Sequence, residues 1–331
     1  MNKFDGGEIE AFCIKTWNKE PLSVSYPGGS GRKTVIVDLE TGRFAVSKRA
    51  STSRAKLEAL VLQKFSSSSN VPALILQTDE YVVQEVIVGQ RLSEVLEYAT
   101  PEKRTEKIIL AGKSLFELQQ AGKKTGLISI APKIGANPAW KNNLAQVPIR
   151  LAERTGYTLT GYDAEKIGAT LVKAEPAFVK WDARPGNAFV VNNNRIVWFD
   201  WEHCGVASAE DDLVWLLADE WTPINSEAEA ALLAHYSRRT STSSDEITHR
   251  FRIKAVLHSM IRLMLILDRK TQGSWQSIKA GLAQDRVGVS LPHVNRVCRR
   301  AADWADVIPE LRCLESMIVY ANEYTKNSRL T

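Results

Sequence analysis

The sequence predicts an α+β protein in two unequal parts: a small sheet-rich N-terminal part and a large, mainly helical remainder. Three observations predict this. Short β-branched runs separated by turn formers dominate the first ninety residues. From Arg91 onward apolar residues recur at helical spacing, and beyond Asp211 they do so almost without interruption. The chain has 331 residues, enough for about two domains. The change of pattern near residue 88 divides it into 1–88 and 89–331. At 44% hydrophobic and 24% charged residues, the composition excludes a disordered chain, a collagen or a small disulfide scaffold.

Thr34–Leu39 and Phe44–Lys48 read as strands joined by a tight turn at Glu40–Arg43. Leu57, Leu60, Val61 and Phe65 share one face of a helix over Ser53–Phe65. Ser66–Asn70 is a polar loop, and Ala73–Leu76 and Tyr81–Val88 are further strands. Arg91–Tyr98 and Thr105–Ala121 read as helices. Gly122–Pro148, rich in Gly, Asn, Pro and Lys, reads as a loop or insertion. Val179–Val191 and Arg195–Phe199 read as two strands around a turn at Asn192–Asn194. Helices follow over Asp211–Glu220, Glu227–Arg238, Asp245–Asp268, Ser274–Ala283 and Leu291–Tyr324.

The net charge of +5 is unevenly spread. Residues 160–230 hold 5 Lys/Arg against 13 Asp/Glu, and residues 231–331 hold 16 against 9. An acidic middle followed by a basic tail does not make a nucleic-acid surface. Arg296, Arg299 and Arg300 in that tail suit a solvated helix face, or a basic face for an acidic partner. The most apolar stretch, Ile253–Leu267, carries Lys254, His258 and Arg262. It cannot supply the ~20 apolar residues of a membrane span. No signal-peptide core is present. Cys13, Cys204, Cys298 and Cys313 form no CxxC pair and suit reduced thiols in a cytoplasmic protein. The five histidines show no metal-ligand spacing.

The chemistry concentrates in Lys180-Trp181-Asp182-Ala183-Arg184-Pro185-Gly186-Asn187 and in Phe199-Asp200-Trp201-Glu202. An Asp, an Asn five residues on, and a second Asp at the end of the next strand match the needs of phosphoryl transfer. A carboxylate must orient the acceptor hydroxyl, and oxygen ligands must hold Mg²⁺ on the phosphates. Asp182 suits the first task, and Asn187 and Asp200 suit the second. Tyr26-Pro27-Gly28-Gly29-Ser30-Gly31 lies between two strands. Gly28, Gly29 and Gly31 let a backbone approach phosphates closely there.

This segment resembles the catalytic core of the aminoglycoside phosphotransferase family, small-molecule kinases with a protein-kinase-like fold. Their pattern H-G-D-x-H-P-G-N, followed by I-D-W-E, is kept here in its Asp, Pro, Gly and Asn, and reads Phe-Asp-Trp-Glu. The resemblance implies a two-lobed fold and an ATP- or GTP-dependent, Mg²⁺-dependent kinase acting on a hydroxyl of a small molecule. It implies that Arg184 stands where protein kinases place a Lys, and that Asp212 supports the catalytic loop. It implies that Lys48 holds the α/β-phosphates, with Glu58 as its ion-pair partner. Val83–Gly89 resembles the hinge, so the adenine would meet the Glu85 carbonyl and the Ile87 amide. Two residues depart from the pattern. Lys180 replaces the family's His, and would pair with Asp200 or Asp212 or reach a phosphate. Trp181 replaces Gly. These departures motivate the alternative of a catalytically silent nucleotide-binding protein. Trp201, Glu202, Asp219 and Glu220 fall where the family builds its acceptor pocket. Carboxylates beside aromatic faces suit a cationic acceptor, and the same residues equally suit a packed core with a charged surface.

Overall fold

The computed structural model describes residues 6–27, 29, 33–135, 137–172, 175–192, 194–240, 242–271, 275–283 and 287–327. The chain opens with a helix, α1 (Gly6–Trp17), that the sequence reading did not contain. Ile9, Phe12 and Cys13 form its buried stripe. The strands β1 (Ser23–Ser25), β2 (Thr34–Leu39) and β3 (Gly42–Lys48) follow, then helix α2 (Thr52–Lys64), then β4 (Leu74–Gln77) and β5 (Tyr81–Glu85). They form one antiparallel sheet in the order β1-β2-β3-β5-β4. Alternation along the strands divides the burial. Val35, Val37, Val46 and Val83 pack with α1 on one face. Val82 joins Ala55 and Leu62 of α2 on the other.

Gly89 leads out of this lobe. A Cβ there would lie 2.5 Å from the Val190 carbonyl oxygen, so only glycine permits this approach. The chain continues through β6 (Gln90–Arg91), α3 (Leu92–Tyr98) and the long α4 (Pro101–Lys124). The expected loop over 122–148 is largely helical: α5 (Leu127–Ile130), α6 (Pro138–Ala145) and the start of α7 (Val147–Thr155). Its Asn and Pro residues are caps rather than breakers. Asn137 caps α6 by accepting from the Ala139 N–H, and Pro138 and Pro148 sit in the first turns, where no N–H is needed.

Helix α8 (Ala164–Val172) precedes β7 (Pro176–Val179), β8 (Ala188–Val191), β9 (Arg195–Trp198) and β10 (Gly205–Ser208). The single strand expected over 179–191 is therefore two, β7 and β8, in different sheets. β7 pairs with β10, and β8 pairs with β6 and β9. The residues between β7 and β8 are the candidate catalytic loop.

The remaining elements are α9 (Glu210–Leu217), α10 (Ser226–Ser237), α11 (Ser244–Thr271), α12 (Ile278–Ala283), α13 (Leu291–Asp306) and α14 (Glu315–Asn327). Ser274, the expected start of α12, lies outside the described residues. The helix expected over 291–324 breaks at Pro309, which opens a 3₁₀ turn over Pro309–Leu314. Among the described residues no helix is long and apolar enough to cross a membrane. The four cysteines are free.

The Gly89 contact sets a test. Gly89→Ala should cost roughly 1–3 kcal/mol in urea unfolding, because the backbone must move to admit one methyl group. Unchanged stability would contradict the close approach to Val190.

Candidate active site

The loop from Lys180 to Asn187 is held in an unfavourable backbone conformation. Trp181 (φ 53°) and Asp182 (φ 44°) are left-handed, and so is Asp200 (φ 61°), two residues past β9. Such residues cost roughly 1–3 kcal/mol each and persist only where their surroundings fix them. Asp212, fully buried at the start of α9, supplies the restraint. Its carboxylate accepts the main-chain N–H of Lys180 (3.1 Å) and of Trp181 (2.9 Å), and the Gln119 side-chain amide (2.9 Å). Burial pushes Asp212 up to about 6, and these hydrogen bonds pull against the rise. Trp181 sits where glycine would be relaxed. Its ring packs between Trp140 (centroids 5.0 Å apart) and Trp215 (5.9 Å).

Asp182 is gripped on both oxygens. Arg184 Nε donates to Oδ1 at 2.9 Å, and Asn187 Nδ2 donates to Oδ2 at 2.8 Å. Asn187 Nδ2 also donates to the Asp182 carbonyl at 2.9 Å, and Asn187 itself is buried. Its main-chain carbonyl accepts the Phe199 N–H at 3.1 Å, which ties the loop to the approach of Asp200. Lys180 is buried over the Trp198 and Trp201 rings, and its Nζ donates to the Asp200 carbonyl at 3.1 Å. It therefore meets the main chain of Asp200 and not a carboxylate. Burial lowers its pKa, opposed by Asp182, Asp200 and Asp212.

The expected Lys48–Glu58 pair does not form. Lys48 lies on the α1 face of the sheet, with Val46, and pairs with Glu8 of α1. Glu80 is 4.0 Å away. The next residue, Arg49, faces the other way. Its Nε and one Nη hold both Glu58 oxygens, the latter at 2.7 Å. Its other Nη lies 3.0 Å from Asp200 Oδ1 and 3.5 Å from Glu202 Oε1. The physical reason is strand parity: one residue along a strand reverses the face. Glu58, fully buried, also accepts from Gln84 Nε2 (2.9 Å) and the Trp201 N–H (3.3 Å). Burial works against the Arg49 charge, but Glu58, Asp200 and Glu202 outweigh it and keep the guanidinium protonated. Burial likewise opposes the Asp200 charge, while Arg49 and Lys180 hold it below the ordinary carboxylate range.

The four residues expected in the acceptor pocket are all buried and engaged. Trp201 is core, packed on Phe65 and Phe178. Glu202 bridges Arg49 and Arg54. Glu220 is held by two bonds from Arg262 (2.7 and 2.6 Å) and accepts the Gly288 N–H. Burial opposes its charge, yet Arg262 brings it down to about 2. Asp219 is pushed up to about 7 by burial and by Glu220. Gly28 and Gly31 lie outside the described residues. Gly29 has φ +85°, a conformation that favours glycine. Glu85 ends β5, and Ile87 lies in the short link between the lobes. Sequence reasoning missed Arg49, Gln119 and the Trp140–Trp181–Trp215 row. Strand parity would have found the first, and the other two join residues distant in sequence.

Two measurements check this geometry. Glu58→Ala should cost roughly 3–5 kcal/mol in chemical denaturation, by stranding a buried guanidinium, whereas Lys48→Ala should cost about 1 kcal/mol or less. Equal losses would refute the assignment of Arg49. The second concerns Asp219, whose folded-state pKa of about 7 lies above its unfolded value. Its contribution favours folding at low pH and is lost as pH rises through 7. Asp219→Asn should therefore gain stability relative to the parent at pH 8, lose most of that gain by pH 5 and the rest below about pH 4, near the unfolded pKa; a pH-independent difference would contradict this.

No protein-family model and no curated protein matches the chain by sequence. Solved structures match it over nearly its whole length. A choline/ethanolamine kinase family protein from Mesorhizobium loti superposes with a TM-score of 0.58 at 14% identity, covering 97% of this chain and 99% of its own. The aminoglycoside phosphotransferase APH(2'')-IIa in complex with gentamicin gives 0.56 at 15% identity, over 94% of this chain and 99% of its own. APH(2'')-Ib with bound ADP gives 0.54 at 16%, over 86% and 99%. The likeness at these identities is one of fold: the chain has the two-lobed, protein-kinase-like architecture found in these small-molecule phosphotransferases.

Proposed function

We propose that this protein is a nucleotide- and Mg²⁺-dependent phosphotransferase acting on a hydroxyl of a small molecule. The observation that carries the reading is Asp182. Its carboxylate is held in a strained loop by Arg184 and Asn187, one strand pair away from Asp200. A carboxylate fixed in this way can orient an acceptor hydroxyl and take its proton. Arg49, rather than Lys48, is the buried cation of the nucleotide cleft and would meet the phosphates. The main chain at Glu85 and Ile87 would meet the base of ATP or GTP, and the glycine turn around Gly29 would cover the phosphates.

The residues fit a divalent cation. Asp200 Oδ1 is buried, and no N–H is aimed at it in hydrogen-bonding geometry. Asn187 adjoins it through Phe199. Among the described residues no three His, Cys, Asp or Glu side chains could hold a metal together. The cation would thus take Asp200 and Asn187 from the protein and the remaining oxygens from phosphate and water, as Mg²⁺ does. When bound it would neutralise charge on the transferring phosphoryl group.

The acceptor site would adjoin Asp182, beside the half-buried Trp181 and Trp215. Glu220 is committed to Arg262 and Glu202 to Arg49 and Arg54, so neither is available to a polycation. One observation favours a second reading, a silent nucleotide-binding protein: Arg49 already supplies a positive charge to Asp200.

The deciding experiment measures thermal shift with ATP and with GTP, with and without Mg²⁺, alongside phosphoryl transfer to a panel of alcohols. Saturating nucleotide should add roughly 2.7 kcal/mol at a hundredfold excess over Kd. Asp182→Asn should keep that shift and lose 10²–10⁴-fold in turnover, roughly the contribution of a general base. Normal turnover in Asp182→Asn sinks the assignment. A nucleotide shift with no transfer to any alcohol favours the silent reading.

A further inference from the structure

The basic C-terminal helices are a feature of the sequence that phosphoryl transfer leaves unused. Of the three arginines singled out there, only Arg299 is exposed. Arg296 donates to the Glu220 carbonyl at 2.8 Å. Arg300, 4% exposed, donates from its two Nη to the carbonyls of Thr222 and Asp219, both at 3.0 Å. Its Nε has no hydrogen-bond partner. Among the described residues no carboxylate lies within ion-pair distance of it. Burial drags Arg300 down to about 10, the direction for a cation short of a counter-ion. The Trp304 ring, 5.4 Å from its guanidinium carbon, compensates in part.

Arg300 lines a pocket of about 180 Å³, open to solvent on one side and bordered by the α9–α10 connection, the start of α10, α11 and α13. This volume equals roughly six waters at ~30 Å³ each. Arg252 lines it too, and its Nε also lacks a hydrogen-bond partner, lying 3.5 Å from Glu229 Oε1. The other Glu229 oxygen accepts from Trp304 Nε1 at 2.8 Å. Glu229 is thus balanced by Arg252, and Asp303, the other acid of the wall, is exposed to solvent. Arg300 remains a buried cation without a direct ion pair, its charge favoured only at longer range by Asp219, Glu220 and Glu229. Ser226, the first residue of the twelve-residue α10, lines the same wall, and first-turn amides have no partner within their helix. Asn225 lines it as well, its side chain capping α10 by accepting the Ala228 N–H at 2.8 Å, and the rest of the lining, Ile224, Trp304 and Val307 among it, is apolar.

We propose that this cavity binds a small organic carboxylate with an apolar body, its head group meeting Arg300 at the start of α10. A buried cation attracts an anion that can shed its water. The apolar wall favours a hydrocarbon body over an inorganic ion.

Thermal shift of the full chain at constant ionic strength tests this with three probes: 4-methylpentanoate, its neutral amide, and inorganic phosphate. The carboxylate should give a saturable rise of about 5 °C at a hundredfold excess over Kd. The amide and phosphate should give none that saturates. Ser226→Glu sets a fixed carboxylate at the helix start, where an acid is tolerated, and should abolish the response. Arg300→Met should abolish it as well, and if that variant fails to fold, Ser226→Glu still decides. An absent response, an equal response to the amide, or an undiminished response in Ser226→Glu overturns the proposal. A phosphate response that Ser226→Glu removes overturns the organic part of it. The nucleotide shift, read in the same plates, should be unchanged in Ser226→Glu, so this site stands or falls apart from the phosphotransfer reading.

Discussion

The site depends on one buried cation. The Arg49 guanidinium joins Glu58 of the sheet lobe to Asp200 and Glu202 of the helical lobe. Burying such a charge is costly, and the cost is offset only while several carboxylates stay in place around it. The network therefore acts as a test of assembly. The β3 end, α2 and the segment after β9 must all be positioned for it to form. Its members include Arg49 and Asp200, which in the proposed function would meet the phosphates and the metal ion.

A second constraint keeps the loop ready. Three costly features are held together: a left-handed Trp181, a left-handed Asp182, and the buried carboxylate of Asp212 that restrains them. Asp212 is itself destabilised as an anion by burial. It is retained because the amides of Lys180 and Trp181 need an acceptor where no sheet partner can reach them. Lys180 completes the arrangement from beneath by holding the Asp200 carbonyl. Lys180 and Trp181 thus leave the loop supported by contacts of their own. The Trp181 ring is fixed between Trp140 and Trp215, which compensates for a backbone conformation that glycine would take without strain.

Much of the lobe pattern was legible because it rests on local rules. The β2–β3 hairpin, α2 and the long helices after Asp211 follow from period and turn chemistry. The errors have local causes too. The Asn and Pro residues of 122–148 were read as breakers, although Asn137 and Pro138 begin a helix. The apolar stripe of α1 went unread, so the Glu8 partner of Lys48 was invisible. The pairing expected of Lys48 belongs to its neighbour Arg49.

The sequence by itself determined the order of elements and the spacing of Asp182, Asn187 and Asp200, because both are properties of neighbouring residues. Tertiary structure decided which charges are spent and which are left over. Arg49 rather than Lys48 faces the cleft because the sheet face it occupies is set by packing against α1 and α2. Asp219 and Glu220, adjacent in sequence, are driven to opposite protonation preferences because Arg262, from α11, grips one more closely than the other. Arg300, one of three similar arginines on a single helix, is buried without a carboxylate partner. Burial and long-range pairing are sums over residues distant in the chain, and no local pattern records them.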